Sequence, residues 1–152
     1  MEIQKAQRKD AVSLTELTIR SKAHWGYKSA QIEKWRAELT ITEKYIDENH
    51  MYKLIVENIL LGFYAYQSEN KTDLKLNYLF VEPKYIGKSY GKILMTDFLN
   101  RIKDSEFERI ILDADPNAEK FYHNFGFKKI GKLKSSIKDR YLPIMELKLN
   151  QS

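Results

Sequence analysis

The sequence predicts an α+β domain built on a central mixed sheet, and three observations indicate this class. Two apolar segments, 52–56 and 60–66, flank a Glu-Asn pair and are typical of a β-hairpin. A strand over 74–81 precedes a glycine-bearing turn and a helix. A buried strand over 109–112, dense in isoleucine and leucine, precedes a helix that Pro116 opens.

Capping residues and apolar spacing justify the elements of the first half. A short strand is predicted over 3–6, and Asp10 is predicted to cap an amphipathic helix that ends near Lys22. Ser29 is the predicted cap of a second helix, and Thr42 is that of a short third helix before the hairpin.

The second half continues the alternation of strands and helices. The helix behind the glycine turn carries Leu94 and Phe98 on one face and ends near 103–104, and the helix opened by Pro116 closes at Asn124 or Gly126. A polar connection separates the two last strands, which are predicted over 127–130 and 142–149. The length of 152 residues predicts one domain, spanning 1–152.

Composition excludes several classes of protein. The chain has no cysteine, so disulfides, thiolate metal sites and a cysteine nucleophile are excluded, and we expect no metal. The N-terminus is too polar for a signal peptide, and the longest apolar run, 59–66, is too short to cross a bilayer. We therefore expect a cytoplasmic protein with no membrane partner. A net charge of +5 permits an anionic ligand, but no nucleic-acid-binding motif accompanies it, so we expect no nucleic acid partner.

The turn from Gly87 to Gly91 predicts an anion site. A strand, a glycine turn and a helix together direct free backbone N–H groups at a ligand, and Lys84, Lys88 and Lys92 bracket this turn. Its spacing matches neither the phosphate loop of nucleotide hydrolases nor the three-glycine dinucleotide fingerprint. We predict that it holds a pyrophosphate. The alternative is an ordinary connection in which glycine supplies positive φ.

A second motif runs from Asp113 to Phe127 and contains Asn117-Ala-x-x-Phe-Tyr and Gly126-Phe127. Taken with Val81-x-Pro-x-x-x-Gly-x-x-x-Gly91, it resembles the GNAT superfamily of acetyl-CoA-dependent N-acetyltransferases. The resemblance covers nearly the whole chain. It implies three layers, with helices on both faces of a mostly antiparallel sheet that splays between two parallel strands. It also implies acetyl-CoA as the co-substrate.

The chain departs from this family at two positions of the loop. Ile86 stands where Gln or Arg is usual, and Ser89 stands where the first motif glycine is usual. Neither change removes a backbone donor, but serine does not adopt positive φ as readily as glycine does. Weakened cofactor binding is therefore one expectation left open.

The resemblance assigns cofactor contacts to three groups of residues. Backbone atoms of β-strand residues contact the acetyl-pantetheine end, and these residues are Leu79, Phe80 and Val81. The loop and the first helical turn contact the diphosphate through Gly87, Lys88, Ser89, Tyr90, Gly91 and Lys92. The far side of the pantetheine arm is assigned to Asn117 and Phe121.

Acetyl transfer to an amine needs a neutral amine, a stabilised oxyanion and a protonated leaving thiolate. Tyr122 is the predicted acid, and an N–H near Phe80 or Val81 is the predicted oxyanion donor. The alternative makes Tyr122 a core aromatic residue.

The base is less clearly indicated. Asn77 lies where the family often carries a carboxylate, so Asp113 and Asp115 are the nearest catalytic candidates. His24 and Glu38 are weaker ones. A capping role for Asp115, or a water relay without a single base, stays open.

In proteins of this family, the first helices and the loop before the last strand wall the acceptor site. The predicted acceptor-binding residues are His24, Trp25 and Tyr27 on one side, and Ser136 and Arg140 on the other. Trp35 shares a helical face with apolar residues, which predicts a core position. Packing is an equal reading for Trp25 and Tyr27, and Arg140 either clamps a carboxylate or lies in solvent.

The predicted function is direct acetyl transfer from acetyl-CoA to a primary amine, with a small molecule as acceptor. Two alternatives remain open: a non-catalytic acyl-CoA-binding or regulatory module of the same fold, and a protein or peptide N-acetyltransferase. A homodimer is a further partner left open.

Overall fold

The computed structural model describes residues 1–135, 137 and 140–149. Ser136, to which the sequence assigned an acceptor contact, lies outside the described residues. The helices are α1 Ala11–His24, α2 Ser29–Leu39, α3 Glu43–Glu48, α4 Tyr90–Ile102 and α5 Glu119–Asn124. The strands are β1 Glu2–Lys5, β2 His50–Val56, β3 Ile59–Ser68, β4 Asp73–Val81, β5 Arg109–Asp113, β6 Lys128–Lys134 and β7 Tyr141–Lys148.

The strands form a seven-stranded mixed sheet in the order β1-β2-β3-β4-β5-β7-β6. The β4–β5 pair is parallel, whereas β1–β2, β2–β3, β5–β7 and β6–β7 are antiparallel. The predicted α+β class with a mixed sheet is therefore confirmed. The chain divides into two compact units, a first unit of Met1–Tyr66 with Tyr78–Ile102 and a second of Gln67–Asn77 with Lys103–Ser152.

Alternation along β3 places helices on both faces of the sheet in the first unit. Phe63 and Ala65 belong to a core cluster with Leu14 and Leu17 of α1 and with Ile46 of α3. The intervening side chains face α4, because the rings of Tyr64 and Tyr66 lie 5.4 and 5.1 Å from that of Phe98. Successive strand residues point to opposite faces, so one strand serves both helical layers.

The predicted hairpin joins β2 to β3 through Glu57 and Asn58. Both residues have positive φ, 50° and 67°, as a two-residue type I′ turn requires. Neither residue is glycine, although glycine is common in this type of turn. The pairing of Val56 with Ile59 fixes the register of the two strands. The register shifts once, between Leu54 and Ile55.

The parallel ladder in the second unit is short. It pairs Asp73–Lys75 with Arg109–Ile111. No further pair of these strands occurs among the described residues of this unit, although β5 continues to Asp113 and β4 continues beyond Asn77.

Several predicted boundaries are wrong, and each has a local cause. Lys28, not Ser29, is the N-cap of α2, because the N–H groups of Gln31 and Ile32 donate to the Lys28 carbonyl. Asp10 lies at the N-cap of α1, but its carboxylate accepts instead from the Gln7 N–H and from Lys53 Nζ, both at 2.8 Å.

Further along, α1 continues two residues past Lys22 to His24. Pro116 opens a 3-10 helix ahead of α5, and β6 extends into the predicted polar connection as far as Lys134. The cap predicted at Thr42 is confirmed, since its hydroxyl accepts from the Tyr45 N–H at 3.0 Å.

We expect Gly62→Ala to destabilise the protein. A Cβ at this position of β3 would lie 2.6 Å from the Phe80 carbonyl oxygen and 2.9 Å from Leu94 Cδ1. Moving the Phe80 backbone away from the new Cβ would disturb β4, so the free energy of unfolding, measured by urea titration, should fall by about 1–3 kcal/mol. Gly131→Ala is the matched control, because its nearest neighbour would be Ile144 Cδ1 at 3.7 Å. Equal stability of the two variants would contradict the close approach.

Acid should weaken the second unit through Asp73. Hydrogen bonds from Arg109, and then from Asn70, lower the pKa of Asp73 from 3.8 to about 2. Because the folded pKa is depressed, this contribution to stability is present above pH 4 and is lost as the pH falls towards 2. Unfolding free energies measured across this range should fall less steeply for Asp73→Asn than for the wild type.

Asp104→Asn is the control for this experiment. Asp104 is exposed and makes no hydrogen bond or ion pair within the described part of the chain. The free energy of unfolding of Asp104→Asn should depend on pH as that of the wild type does. If Asp73→Asn shows the same slope as the wild type, the role of the Arg109–Asp73 pair is refuted.

Candidate active site

The connection between β4 and α4 has the conformation expected of an anion-binding turn. A 3-10 helix at Pro83–Tyr85 is followed by Gly87 at φ +89° and Ser89 at φ +67°. Ser89 thus adopts the left-handed conformation in which glycine is usual, although it carries a side chain. Its carbonyl accepts from the Ile93 N–H at 3.1 Å and so begins α4.

The backbone of this turn offers a run of free donors. Within the described part of the chain, no acceptor receives the N–H groups of Gly87 through Lys92. The first N–H groups of a helix have no intrahelical partner, and the α4 dipole adds partial positive charge at the same end. Lys88 and Lys92 are exposed beside these groups. The arrangement suits an anion with several oxygens, such as a diphosphate.

The strand residues assigned to the thioester, Leu79, Phe80 and Val81, are all half-buried. The Phe80 ring lies 6.0 Å from that of Phe63, and the Lys22 ammonium lies 5.7 Å from its centroid. These residues form the end of β4, directly before the turn.

The predicted acceptor residues of the first unit share one turn after α1. Gly26 has φ +84°, the rings of His24 and Trp25 lie edge-on at 4.9 Å, and Trp25 is 41% exposed. Tyr27 instead packs edge-on at 5.0 Å against Trp35, whose predicted core position is confirmed. His24 and Trp25 are both exposed, whereas Tyr27 is half-buried.

Both candidate carboxylates, one at the end of β5 and one two residues beyond it, have cationic partners. Asp113 Oδ2 lies 3.0 Å from Lys75 Nζ, and each side chain is between a quarter and a third exposed. Asp115 accepts from the Asn117 N–H and from Asn117 Nδ2, each at 2.9 Å, and from Arg140 Nη2 at 3.2 Å. The capping alternative for Asp115 is confirmed, and Arg140 is held by this carboxylate with 16% of its side chain exposed.

Tyr122 lies in an aromatic cluster of the second unit. Its ring meets those of Phe121 and Phe127 edge-on, at 5.3 and 5.8 Å, and the residue is buried. Its hydroxyl makes no hydrogen bond to any residue that the structure describes. Burial, and then the negative charge of Asp115, raise the pKa of Tyr122 above its ordinary value of 10. The phenol therefore keeps its proton throughout the neutral range.

Sequence reasoning missed the partners of the site residues. Lys75 faces Asp113 because the two strands are parallel neighbours, which the sequence around either residue does not indicate.

Among the described residues, no group of three His, Cys, Asp or Glu side chains is placed to hold a metal ion. The described helices are each too short or too polar to cross a membrane.

Comparison with known proteins agrees with this geometry. A model of the acetyltransferase (GNAT) domain family matches residues 3–149. The uncharacterized N-acetyltransferase ycf52 of Gracilaria tenuistipitata var. liui is 23% identical over 92 residues, which are 60% of this chain and 50% of that protein. The chain thus spans about half the length of this relative.

Solved structures share the fold. PaiA N-acetyltransferase from Thermoplasma acidophilum, in complex with coenzyme A, matches with a TM-score of 0.78 and 23% identity, over 97% of this chain and 98% of that one. A GCN5-related N-acetyltransferase (aminotransferase, class II) from Rhodopseudomonas palustris matches with a TM-score of 0.79 and 17% identity, over 97% and 95%. With a family model that covers nearly its whole length, this chain belongs to the GNAT acetyltransferase family.

Proposed function

We propose that this protein transfers the acetyl group of acetyl-CoA directly to a primary amine of a small molecule. The observation that carries the proposal is the run of free N–H groups from Gly87 to Lys92 at the start of α4. Such a run binds a diphosphate through the backbone, so it tolerates Ile86 and Ser89 where other family members differ. The left-handed Ser89 supports this, because the loop keeps its shape without the usual glycine.

Tyr122 is the proposed proton donor. The thioester supplies an acetyl group on a thiolate leaving group, and that thiolate must be protonated. A neutral phenol whose hydroxyl has no described partner is free to give its proton. The N–H at Phe80 or Val81 is the proposed donor to the developing oxyanion.

Asp113 is the proposed acceptor of the amine proton. Lys75 occupies Oδ2 of this carboxylate, but no donor among the described residues contacts Oδ1. Asp115 is less suited to the task, since three donors already hold it. We assign Asp115 and Arg140 to holding the start of α5 in place, with Asn117 and Phe121 beside the pantetheine arm.

A second candidate function is a binding module that holds acyl-CoA without turnover. One observation favours it: both carboxylates at the end of β5 are paired with cations, and the Asn77 side chain cannot accept a proton at neutral pH. The two functions predict the same cofactor affinity and differ only in turnover.

Thiol release from acetyl-CoA distinguishes the two functions. The purified chain is incubated with acetyl-CoA and with single amines: aromatic and aliphatic monoamines, diamines, amino sugars and a short peptide with a free N-terminus. Amine-dependent release supports the transferase, and preference for the peptide would overturn the small-molecule assignment. Calorimetric binding of coenzyme A without release for any amine would favour the binding module.

We expect the conformation of Ser89 to control cofactor affinity. A β-branched residue is strongly disfavoured at φ +67°, at a cost of about 1–3 kcal/mol, so Ser89→Val should weaken coenzyme A binding by about ten-fold or more in calorimetric titration. Ser89→Gly should bind at least as tightly as the wild type. Ser13→Val, at an exposed position in α1, serves as the control, and equal affinity for all four proteins would exclude the turn from the cofactor site.

Tyr122→Phe should lower turnover by about 10²- to 10⁴-fold, since it removes the proton donor and keeps the ring. Coenzyme A affinity should change little, because the hydroxyl acts on the leaving group. Phe121→Leu is a control for aromatic packing and should affect affinity more than the rate of the chemical step. Wild-type turnover in Tyr122→Phe would remove the hydroxyl from the mechanism.

The pH profile tests the same residue independently. Because burial raises the pKa of Tyr122, the acid form persists at least up to pH 10. Hence kcat/KM measured from pH 6 to 10 should rise to a plateau with no fall on the alkaline side. An alkaline fall below pH 10 that disappears in Tyr122→Phe would show that the pKa of Tyr122 is not raised, whereas a fall that persists in Tyr122→Phe would belong to another group.

A further inference from the structure

The peptide that joins Val81 to Glu82 is held on two sides. Its N–H donates to the Leu61 carbonyl of β3 at 2.8 Å. Its carbonyl accepts from the Ser21 hydroxyl of α1 at 3.0 Å. Ser21 is only 4% exposed, so little water competes for this bond. Because a peptide is planar, bonds at both of its ends fix its orientation.

The side chain of Glu82, the residue directly after β4, is hydrogen-bonded to the same helix. Arg20 grips the Glu82 carboxylate with Nε and Nη2, both at 2.8 Å, in a bidentate pair. The Glu82 side chain is 16% exposed and that of Arg20 is 51% exposed, so the carboxylate is shielded while the guanidinium stays in contact with water. The consecutive residues Arg20 and Ser21 therefore hold consecutive residues at the end of β4.

We propose that Arg20 and Ser21 are positioning residues for the acetyl transfer, acting through the Val81–Glu82 peptide. This peptide lies between the strand N–H groups assigned to the oxyanion and the turn assigned to the diphosphate. A rotation about it would move both sets of donors. Because misplacement of about 1 Å is enough to cost a large factor in rate, a fixed peptide preserves the alignment of the donors.

The same helix carries the acceptor turn. Ser21 and Trp25 are one helical turn apart at the C-terminal end of α1. An amine bound against Trp25 therefore contacts the element that orients the end of β4. The role in turnover rests on the proposed acetyl transfer, whereas the holding of the peptide does not.

Two measurements on the double variant Arg20→Gln/Ser21→Ala test this proposal. Hydrogen–deuterium exchange of the segment 79–82 should become about ten-fold faster or more, while exchange in α4 stays as in the wild type. Turnover should fall about 10- to 100-fold, with KM for the amine within about two-fold, because orientation matters more in the transition state than in the ground state. The single variant Arg20→Lys keeps the positive charge but loses the guanidinium group that makes two hydrogen bonds. Its exchange rate at 79–82 and its turnover should lie between those of the wild type and those of the double variant.

Arg8→Gln is the matched control. Arg8 also pairs with a carboxylate, donating from Nε to both oxygens of Asp47 in α3, and its loss should change neither measurement. Wild-type exchange at 79–82 in the double variant would overturn the proposal, and so would faster exchange with unchanged turnover. Were the wild type itself inactive on every amine, the proposed function would fail, and the exchange result alone would still decide whether α1 holds the peptide.

Discussion

The close approach of β4 to β3 at Gly62 is the constraint on which the first unit depends. No side chain fits between the Gly62 backbone, the Phe80 carbonyl and Leu94, so the strand and α4 both lie directly against β3. The turn between them begins and ends on fixed elements as a result. Its donors are therefore placed by the core, which would reduce the ordering cost of the proposed diphosphate binding.

The run of unpaired N–H groups is the reason for placing the proposed diphosphate site at this turn. Buried backbone groups are nearly always paired, and an exposed run of unpaired N–H groups next to lysines is stable only because water satisfies it. A polyanion replaces that water with oxygens that several donors share. Ser89 has positive φ although it is not glycine. The turn therefore requires a residue in the left-handed conformation at this position, and that residue does not have to be glycine.

The fold was largely predictable from the sequence, because periodicity and turn residues report directly on local structure. The hairpin at Glu57-Asn58, the cap at Thr42 and the strand–turn–helix around Gly87 all follow from a few adjacent residues. The predicted cap at Ser29 failed because Ser29 and Lys28 are both compatible with a helix start, and backbone hydrogen bonds decided between them. Asp10 does lie at the N-cap of α1, as predicted, but its carboxylate makes no capping bond there, since it accepts from the Gln7 N–H and from a distant cation, Lys53.

The residue types of the candidate site were predictable, but their partners were not. Lys75 meets Asp113, Arg140 meets Asp115 and Ser21 meets Val81 over sequence separations that no local pattern reports. These partners leave Oδ1 of Asp113 without a described donor, and they are the basis on which the Val81–Glu82 peptide is proposed to be fixed.

The contrast between the two tryptophans has a practical consequence. The chain contains only these two tryptophans. Trp25 lies exposed directly after α1, whereas Trp35, a residue of α2, is buried. Long-wavelength emission and quenching by iodide should therefore report on Trp25 almost alone. The turn proposed to bind the acceptor thus carries an intrinsic optical probe, with which amines can be screened by fluorescence without a label and without turnover.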